Sequence, residues 1–335
     1  MPTHTVHRPA GADGSDEQWD AADDRAVPFA AAHIDSLARC SGVQFPETVL
    51  GAATAALRAG KHLILTGPPG TGKSTLAKLL ADAAQEALMC TGHIAATATS
   101  EWTVADTIGT SIDTAQGRVF RAGVVTQAIE SGRWLVIDEF NRANIDQAFG
   151  ELFSVLAGQT VVLPHRRSEF APALSLVPYG CEPPSETEAI CIPKPWRIIA
   201  TMNTADRGLL FTLSRALMRR FAFVNVSSPN EQVYRQLLDG PGRHVTALLP
   251  LRELHDIGPA IFLDAADYVA MRNLDSVRPS LALLEAFNAY FLPQLDALDR
   301  ASSARLLEIL DEALDPPEQQ AVRTILREFQ LLDVA

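Results

Sequence analysis

The residues best suited to chemistry lie in a glycine-rich stretch after a short apolar run. Residues 67–75 read GPPGTGKST and fit the pattern G-x-x-x-x-G-K-[ST], between the strand-like HLILTG and the helix-like STLAKLLADAAQ. Glycines at this spacing let consecutive backbone N–H groups point at an anion, and the following helix adds its positive dipole end. The alternative is a glycine-rich turn with an unrelated lysine, but the position between strand and helix favours a phosphate-binding loop.

In such a loop the last polar side chains complete the site. Lys73 would reach the β- and γ-phosphates of a nucleotide, and the Ser74 hydroxyl would bind Mg²⁺. The predicted nucleotide-binding residues of this stretch are Gly67, Pro68, Pro69, Gly70, Thr71, Gly72, Lys73, Ser74 and Thr75.

A second apolar run, WLVI, ends in two carboxylates, Asp138 and Glu139. Ligands of open α/β sheets gather at the carboxyl ends of the strands. Asp138 is suited to holding Mg²⁺, and the Glu139 carboxylate is suited to polarising an attacking water molecule. A solvated strand end is the alternative, and the phosphate loop earlier in the chain favours the catalytic interpretation.

Two further polar positions follow the carboxylates. The run IIATM ends at Asn203, whose amide would lie beside the γ-phosphate and the water unless it only forms a turn. Arg219 and Arg220 precede the strand-like AFVNV. Such a pair of arginines is usually solvated. In a ring of subunits, however, it can reach the γ-phosphate bound to a neighbouring subunit and raise the rate of hydrolysis by about 10³–10⁵.

The segments that position these residues indicate the fold. From residue 26 to 226, short apolar strands alternate with helix-like segments, which predicts an α/β domain with a P-loop NTPase parallel sheet sandwiched by helices. Residues 227–335 are helix-like pieces broken by DGPGR, RPS and DPPEQ, which predicts a small all-helical lid domain. Residues 1–25 carry six acidic residues and two arginines, and we expect a disordered acidic tail or a partner-binding one.

Composition narrows the class of protein. The chain has 335 residues, 47% of them hydrophobic, and a net charge of −12, which argues against a broad DNA-coating surface but leaves room for a local basic pore. Its four cysteines lack CxxC spacing, no apolar run approaches the length of a membrane span, and the N-terminus lacks a signal-peptide pattern. We therefore expect a cytoplasmic protein.

In order, GPPGTGKST, LVIDEFNRAN, ATMNTADR and ALMRRF resemble the AAA+ ATPases of the MoxR/McrB-like branch, which carries a helix-2 insert, over residues 44–226. DEFNRAN and MNTADR look most like the McrB members. The resemblance implies a Walker A motif with Lys73 and Ser74, a Walker B motif with Asp138 and Glu139, sensor 1 at Asn203, and an arginine finger at Arg220 or, as the alternate, Arg219.

The resemblance implies further positions. Asn141, Arg142, Asp206 and Arg207 belong to motifs expected to face a subunit interface. DSVRPSLALL resembles the sensor 2 region, so Arg278 would touch the nucleotide from the lid. Relatives often carry this arginine after the proline, whereas here it precedes it, so a helix-start arginine without nucleotide contact is the alternative.

Two insertions fit the same branch. Residues near 103–123 would hold the helix-2 insert that points into a ring's pore, and residues 160–196 are expected to form a long hairpin. The basic cluster His165-Arg166-Arg167 is either an exposed charged loop or a contact for substrate or nucleic acid. Cys181 and Cys191 lie nearby, but a metal site would need further ligands.

The resemblance implies a hexameric or similar ring with Mg²⁺ and ATP, or GTP, at each interface. Three hypotheses for the task that the nucleotide serves stay open. They are MoxR-like remodelling of an effector or substrate protein encoded nearby, a McrB-like motor driving a nuclease partner on DNA, and an assembly scaffold with little turnover. Glu139, Asn203 and Arg220 favour turnover over the scaffold. Because only an acidic tail of about 25 residues precedes the core, a partner would have to supply DNA recognition. No membrane partner is expected.

Overall fold

The computed structural model describes residues 27–115, 117–203, 218–295, 298–329 and 331. The chain divides into two compact units: the first holds Met1–Thr66 and Lys73–Asn225, and the second holds Gly67–Gly72 and Val226–Ala335. The first unit is α/β and the second is helical, in agreement with the predicted fold class.

The centre of the first unit is a five-stranded parallel sheet in the order β10-β1-β9-β5-β2. Because parallel strands share a direction, their carboxyl ends meet at one edge, and the residues that precede them lie at the opposite edge. The strands are β1 (His62–Gly67), β2 (His93–Thr97), β5 (Trp134–Asp138), β9 (Ile198–Asn203) and β10 (Phe221–Asn225).

Helices of this unit bury apolar stripes in its core. In α6 the side chains of Ile145, Phe149 and Leu152 are buried at helical spacing, and Asn144 caps the helix by accepting from the Gln147 N–H. The helices are α1 (Ala31–Cys40), α2 (Glu47–Arg58), α3 (Lys73–Glu86), α4 (Val104–Thr107), α5 (Val124–Glu130) and α6 (Ile145–Leu156).

Two small sheets occupy the predicted insertions. The first is an antiparallel hairpin of β3 (Gly109–Thr114) and β4 (Gly117–Ala122). The second has three strands, β6 (Val161–Arg166), β7 (Ala173–Val177) and β8 (Thr187–Cys191). The prediction of one long hairpin over 160–196 is therefore wrong in part. β6 and β7 are antiparallel, but β8 pairs in parallel with β7 because the connection over 178–186 returns the chain to the start of β7.

The second unit is built from helices around an aromatic centre. Phe262 lies 4.9 Å from Phe291 and 5.2 Å from Tyr234, ring centre to ring centre. Prolines open three of its helices, at the first helical position where a missing N–H costs nothing. The helices are α7 (Glu231–Leu237), α8 (Pro259–Leu274), α9 (Pro279–Ala286), α10 (Arg300–Ala313) and α11 (Pro316–Glu328), with a 3-10 helix over Arg243–Glu253 and a π-helical turn over Phe287–Phe291.

Candidate nucleotide-binding site

The glycine-rich loop has the backbone that an anion cradle requires. Gly70 and Gly72 have φ of +75° and +85°, a left-handed conformation in which any other side chain would be strained. The Thr71 hydroxyl donates to the Pro68 carbonyl oxygen at 3.0 Å and closes the turn. The loop connects β1 to α3 in the chain, as the sequence predicts.

Lys73 begins α3 and is almost completely buried, with 6% of its surface exposed. Burial lowers the pKa of its ammonium group from 10.5 to about 8, and the nearby Asp138 and Glu139 carboxylates oppose the shift only in part. A buried cation at a helix N-terminus also opposes the helix dipole. Both costs would be offset by a bound polyanion, so this position suits a lysine that binds phosphate.

Asp138 is held by two hydroxyl groups at the carboxyl edge of the sheet. Its Oδ1 accepts from the Ser74 hydroxyl at 2.7 Å and also from the Thr201 hydroxyl. Hydroxyl and carboxylate oxygens are the ligands that Mg²⁺ prefers, and it binds proteins through few of them. Ser74 and Asp138, the two predicted metal residues, thus lie together with a donor set that fits the ion.

Thr201 joins the two carboxylate residues and was not among the predicted site residues. It is 2% exposed, and its Oγ1 accepts from the Glu139 backbone N–H at 3.1 Å while its hydroxyl donates to Asp138. The clue in the sequence is one hydroxyl residue inside the apolar run IIATM. Because alternate residues of a strand face opposite sides, the sequence alone does not indicate which neighbour this hydroxyl meets.

Glu139 has a strained backbone and a paired side chain. Its φ of 54° and ψ of 43° are left-handed, a conformation that costs a non-glycine residue energy and clusters at functional sites. Its Oε2 accepts from the Arg142 Nε at 2.8 Å. The carboxylate expected to polarise water is therefore held by Arg142 three residues later, while a role of Arg142 at a subunit interface stays a prediction.

The remaining predicted residues of the α/β unit lie at two opposite edges of the sheet. Asn203 ends β9 and is half-buried, at the same edge as Asp138. Arg219 and Arg220 lie at the other edge, where the Arg220 carbonyl oxygen accepts from the His62 N–H at 3.1 Å. In the register His62 pairs with Phe221 and Thr66 with Asn225. At about 3.3 Å per residue, the two edges are roughly 16 Å apart along β1.

Arg278 lies in the helical unit and has a partner there. It occupies the N-cap position of α9 without a side-chain capping bond, and its Nη2 donates to the buried Glu318 Oε1 at 2.5 Å. Contact of Arg278 with a nucleotide stays a prediction. Asn141 is buried in the 3-10 turn Phe140–Arg142, whereas Asp206 and Arg207 lie outside the described residues.

The basic cluster His165-Arg166-Arg167 lies at the end of β6 and in the bend after it, with Arg166 and Arg167 exposed as one expectation had it. His165 and Arg166 belong to β6, and the His165 Nδ1 lies 3.0 Å from the Ser111 Oγ of the β3–β4 hairpin. The Arg167 guanidinium donates to Glu188 at 2.5 Å and also to Glu130. These contacts give the cluster a structural role, and contact with substrate or nucleic acid stays untested.

The described part of the chain contains no disulfide, no cluster of three or more metal-binding side chains and no helix that could cross a membrane. Its cysteines, Cys40, Cys90, Cys181 and Cys191, are unbridged, and no group of three or more metal-binding side chains occurs among the described residues. No helix of those residues has the length and apolar character needed to cross a bilayer.

A parallel sheet with a glycine-rich loop after β1 and a Ser74–Asp138 pair at its carboxyl edge defines a nucleotide-binding protein of the P-loop NTPase class. The family model of the AAA domain (dynein-related subfamily) matches residues 62–221. This match confirms the resemblance of these residues to the AAA+ ATPases of the MoxR/McrB-like branch.

Three relatives illustrate the match. Midasin of Giardia intestinalis is 29% identical over 197 residues, 58% of this chain and 4% of midasin. The type IV methyl-directed restriction enzyme EcoKMcrB subunit of Escherichia coli K12 is 28% identical over 198 residues, 54% of this chain and 38% of the relative. The uncharacterized protein YojN of Bacillus subtilis is 26% identical over 290 residues, 83% and 81% of the two chains. The chain thus spans less than half the length of the first two relatives.

Proposed function

We propose that this protein is a ring-forming AAA+ NTPase that couples Mg²⁺-dependent hydrolysis of ATP, or of GTP, at subunit interfaces to mechanical remodelling of a partner protein. The observation that carries the proposal is the meeting of Lys73, Ser74, Asp138 and Glu139 at the carboxyl edge of the sheet. A cation, a metal-binding pair and a water-directing carboxylate are the parts that phosphoryl transfer to water requires.

Each residue has a distinct task in this mechanism. Lys73 neutralises charge on the β- and γ-phosphates, while the oxygens of Ser74 and Asp138 hold Mg²⁺, which supplies charge neutralisation when bound. Glu139 accepts the proton of the attacking water, and Asn203 orients that water. Since the Glu139 carboxylate is paired with Arg142, it must exchange this partner before it can act on water.

The position of Arg219 and Arg220 supports a ring. A guanidinium whose backbone lies roughly 16 Å from the carboxyl end of β1 is too far away to serve the phosphates of its own chain. An arginine finger at this edge would instead act on a neighbour, and head-to-tail contacts of this kind close into rings. We propose Arg220 as the finger, Arg219 as the alternate, and a hexamer as the assembly.

The test begins with turnover of ATP and GTP side by side by the purified protein. Glu139→Gln and Arg220→Ala should each abolish hydrolysis while nucleotide binding persists. A mixture of the two inactive variants should regain activity, because mixed interfaces join an intact Glu139 site to an intact Arg220. A mixture that stays inactive while mixed rings form would exclude Arg220 as a finger acting between subunits. Arg219→Ala in the same assay separates the two arginines.

A second candidate output is a motor that drives a nuclease partner on DNA, favoured by the similarity to the Escherichia coli restriction subunit. The two outputs respond differently to DNA and to a partner. Salt-sensitive DNA binding that requires a partner would favour the restriction-type motor, whereas partner-stimulated turnover without DNA would favour remodelling. A ring that binds nucleotide but hydrolyses neither ATP nor GTP would contradict both and leave the assembly scaffold.

A further inference from the structure

The glycine-rich loop is packed against the start of α8. Gly67–Gly72 and the whole of α8 belong to the second unit, so the contacts between them lie inside one compact unit. The Ala260 N–H, in the first turn of α8, donates to the Gly70 carbonyl oxygen at 3.2 Å. Gly258 occupies the N-cap position of the same helix. A loop with the backbone of an anion cradle is therefore in contact with a helix that lies far along the chain.

Gly258 lies so close to the loop backbone that no side chain fits at this position. A Cβ on Gly258 would lie 2.3 Å from the Gly70 carbonyl carbon and 2.4 Å from the Pro69 carbonyl oxygen. Its φ of −71° is open to every residue, so the reason for glycine here is the close approach and not the backbone angle. The absence of a side chain at Gly258 is what allows the helix to reach the loop.

The hydrogen bond to Gly70 fixes the direction of one peptide group of the loop. A trans peptide unit is planar, so its C=O and its N–H point in opposite directions. Because the Gly70 carbonyl oxygen points at the Ala260 N–H, the Thr71 N–H of the same peptide unit points away from α8. The first N–H groups of a helix have no partner within the helix, so Ala260 makes this bond at no cost to α8. The contact therefore sets the orientation of a backbone N–H in the loop.

The other end of the loop is restrained by the second unit as well. A Cβ on Gly67 would lie 2.2 Å from the Val226 carbonyl oxygen, so the two backbones also touch directly there. Between the two contacts, the Thr71 hydroxyl donates to the Pro68 carbonyl oxygen and closes the turn. The conformation of the loop is therefore set by Val226 and Gly258 as well as by its own glycines.

We propose that Gly258 and Ala260 are positioning residues of the nucleotide site. Gly258 allows the close contact, and the Ala260 N–H holds the peptide between Gly70 and Thr71 in the orientation that a phosphate-binding loop requires. The inference rests on the proposed function, because it takes the loop to bind the phosphates of a nucleotide. It adds to the site the segment IGPA, residues 257–260, which lies outside the motifs that indicate nucleotide binding.

The experiment compares two glycines of the second unit, each of which approaches another backbone too closely for a Cβ. Gly258→Ala places a methyl group against the loop, whereas Gly242→Ala places one 2.2 Å from the Ala266 carbonyl oxygen, in the middle of α8. Gly242 also has a negative φ, of −91°, so alanine is strained at both positions only by the contact. Both substitutions should lower the urea midpoint of unfolding, followed by far-UV circular dichroism. Only Gly258→Ala should displace the loop.

The affinity for fluorescent ATP and GTP analogues is a readout that a purely structural role of Gly258 would leave unchanged in the folded protein. To relieve the overlap, the loop and the helix must move apart by about 1 Å, and a misplacement of that size in a site costs roughly tenfold or more. Gly258→Ala should therefore weaken binding of both analogues, and of inorganic tripolyphosphate as a competitor, by at least roughly tenfold. The factor should be the same for all three ligands, because the loop contacts phosphates and not the base. Gly242→Ala should bind them like the unmodified chain.

Hydrogen exchange in the unmodified chain, followed by NMR, tests the contact without any substitution. An N–H in the first turn of a helix usually exchanges freely, since it has no partner within the helix. The bond to the Gly70 carbonyl oxygen should slow exchange at the Ala260 amide roughly tenfold. A bound ATP analogue should slow it further, because phosphates that order the loop also hold the Gly70 carbonyl in place.

Three results would overturn the proposal. The first is equal affinity of folded Gly258→Ala and Gly242→Ala for the nucleotide analogues. The second is a loss confined to the ATP or to the GTP analogue, which would assign Gly258 to the base. The third is free exchange at Ala260 with and without nucleotide, which decides the question if Gly258→Ala does not fold. An unmodified chain that binds neither nucleotide nor tripolyphosphate would contradict the proposed function instead, and exchange at Ala260 would still show whether α8 holds the loop.

Discussion

Replacing Thr201 with valine removes a single hydroxyl that serves two residues of the candidate site. The side chain keeps its shape, but the Glu139 N–H loses its acceptor and Asp138 loses one of its two hydroxyl donors. A buried donor without a partner costs about 1–3 kcal/mol, and a hydrogen bond to a charged group contributes about 1.5–3 kcal/mol. Because both bonds belong to one network they do not simply add, and we expect the free energy of unfolding to fall by about 2–4 kcal/mol.

Urea unfolding followed by tryptophan fluorescence measures this loss of stability in the α/β unit, which contains Thr201. Trp102, Trp134 and Trp196 all lie in the α/β unit, and the second unit contains no tryptophan. The substitution should also raise the Mg²⁺ concentration needed for half-maximal nucleotide binding by roughly tenfold, the usual effect of removing a group that orients a metal ligand.

Two control variants distinguish the effect of losing the Thr201 hydrogen bonds from the effect of losing any buried hydroxyl. Thr201→Ser retains both hydrogen bonds and should keep the Mg²⁺ dependence of the unmodified protein. Thr54→Val removes a buried hydroxyl that donates only to the Leu50 carbonyl oxygen within α2, and should cost less than about 1 kcal/mol. If Thr201→Val unfolds like Thr54→Val and binds Mg²⁺ normally, the Thr201 network does not position the site.

Three further predictions use the charges of the α/β unit. Because burial lowers the pKa of Lys73 to about 8, affinity for a fluorescent ATP analogue should fall as the pH rises above 8, by up to about tenfold per pH unit, and a Lys73→Arg variant should show no such fall. Burial, with Arg197 and other cations, lowers the pKa of His62 to about 3, so below pH 6.5 the unfolded chain binds a proton that the folded chain does not. Stability should therefore fall by about 1.4 kcal/mol per pH unit from 6.5 toward 3, and urea unfolding of His62→Asn should lack this component. Arg142→Gln frees the Glu139 carboxylate from an exposed ion pair worth up to about 1 kcal/mol, so basal turnover should rise up to roughly fivefold, and a decrease in steady-state assays would contradict that role.

Much of the fold could be predicted because its strands and helices are marked by local patterns. The runs HLILTG, WLVID and IIATMN are buried strands, and GPPGTGKST lies between a strand and a helix as its composition requires. The edge strand β2, with the sequence HIAAT, was not predicted, because its side chains are half-exposed and it lacks a continuous apolar run. The parallel pairing of β8 was missed for a different reason. Strands that follow one another in the chain suggest a hairpin, and the local sequence does not indicate the direction in which they pair.

The candidate site, like the fold, could be predicted from the sequence only in part. The amino-acid sequence by itself determined which residue types are available: a phosphate loop with Lys73 and Ser74, two carboxylates after a strand, and an acidic segment before the core. Only the tertiary structure decided that Thr201 bridges Asp138 and Glu139, and that Arg220 lies at the opposite edge of the sheet. The physical reason is that these relations depend on strand order and register, which are set by backbone pairing between segments far apart in the chain.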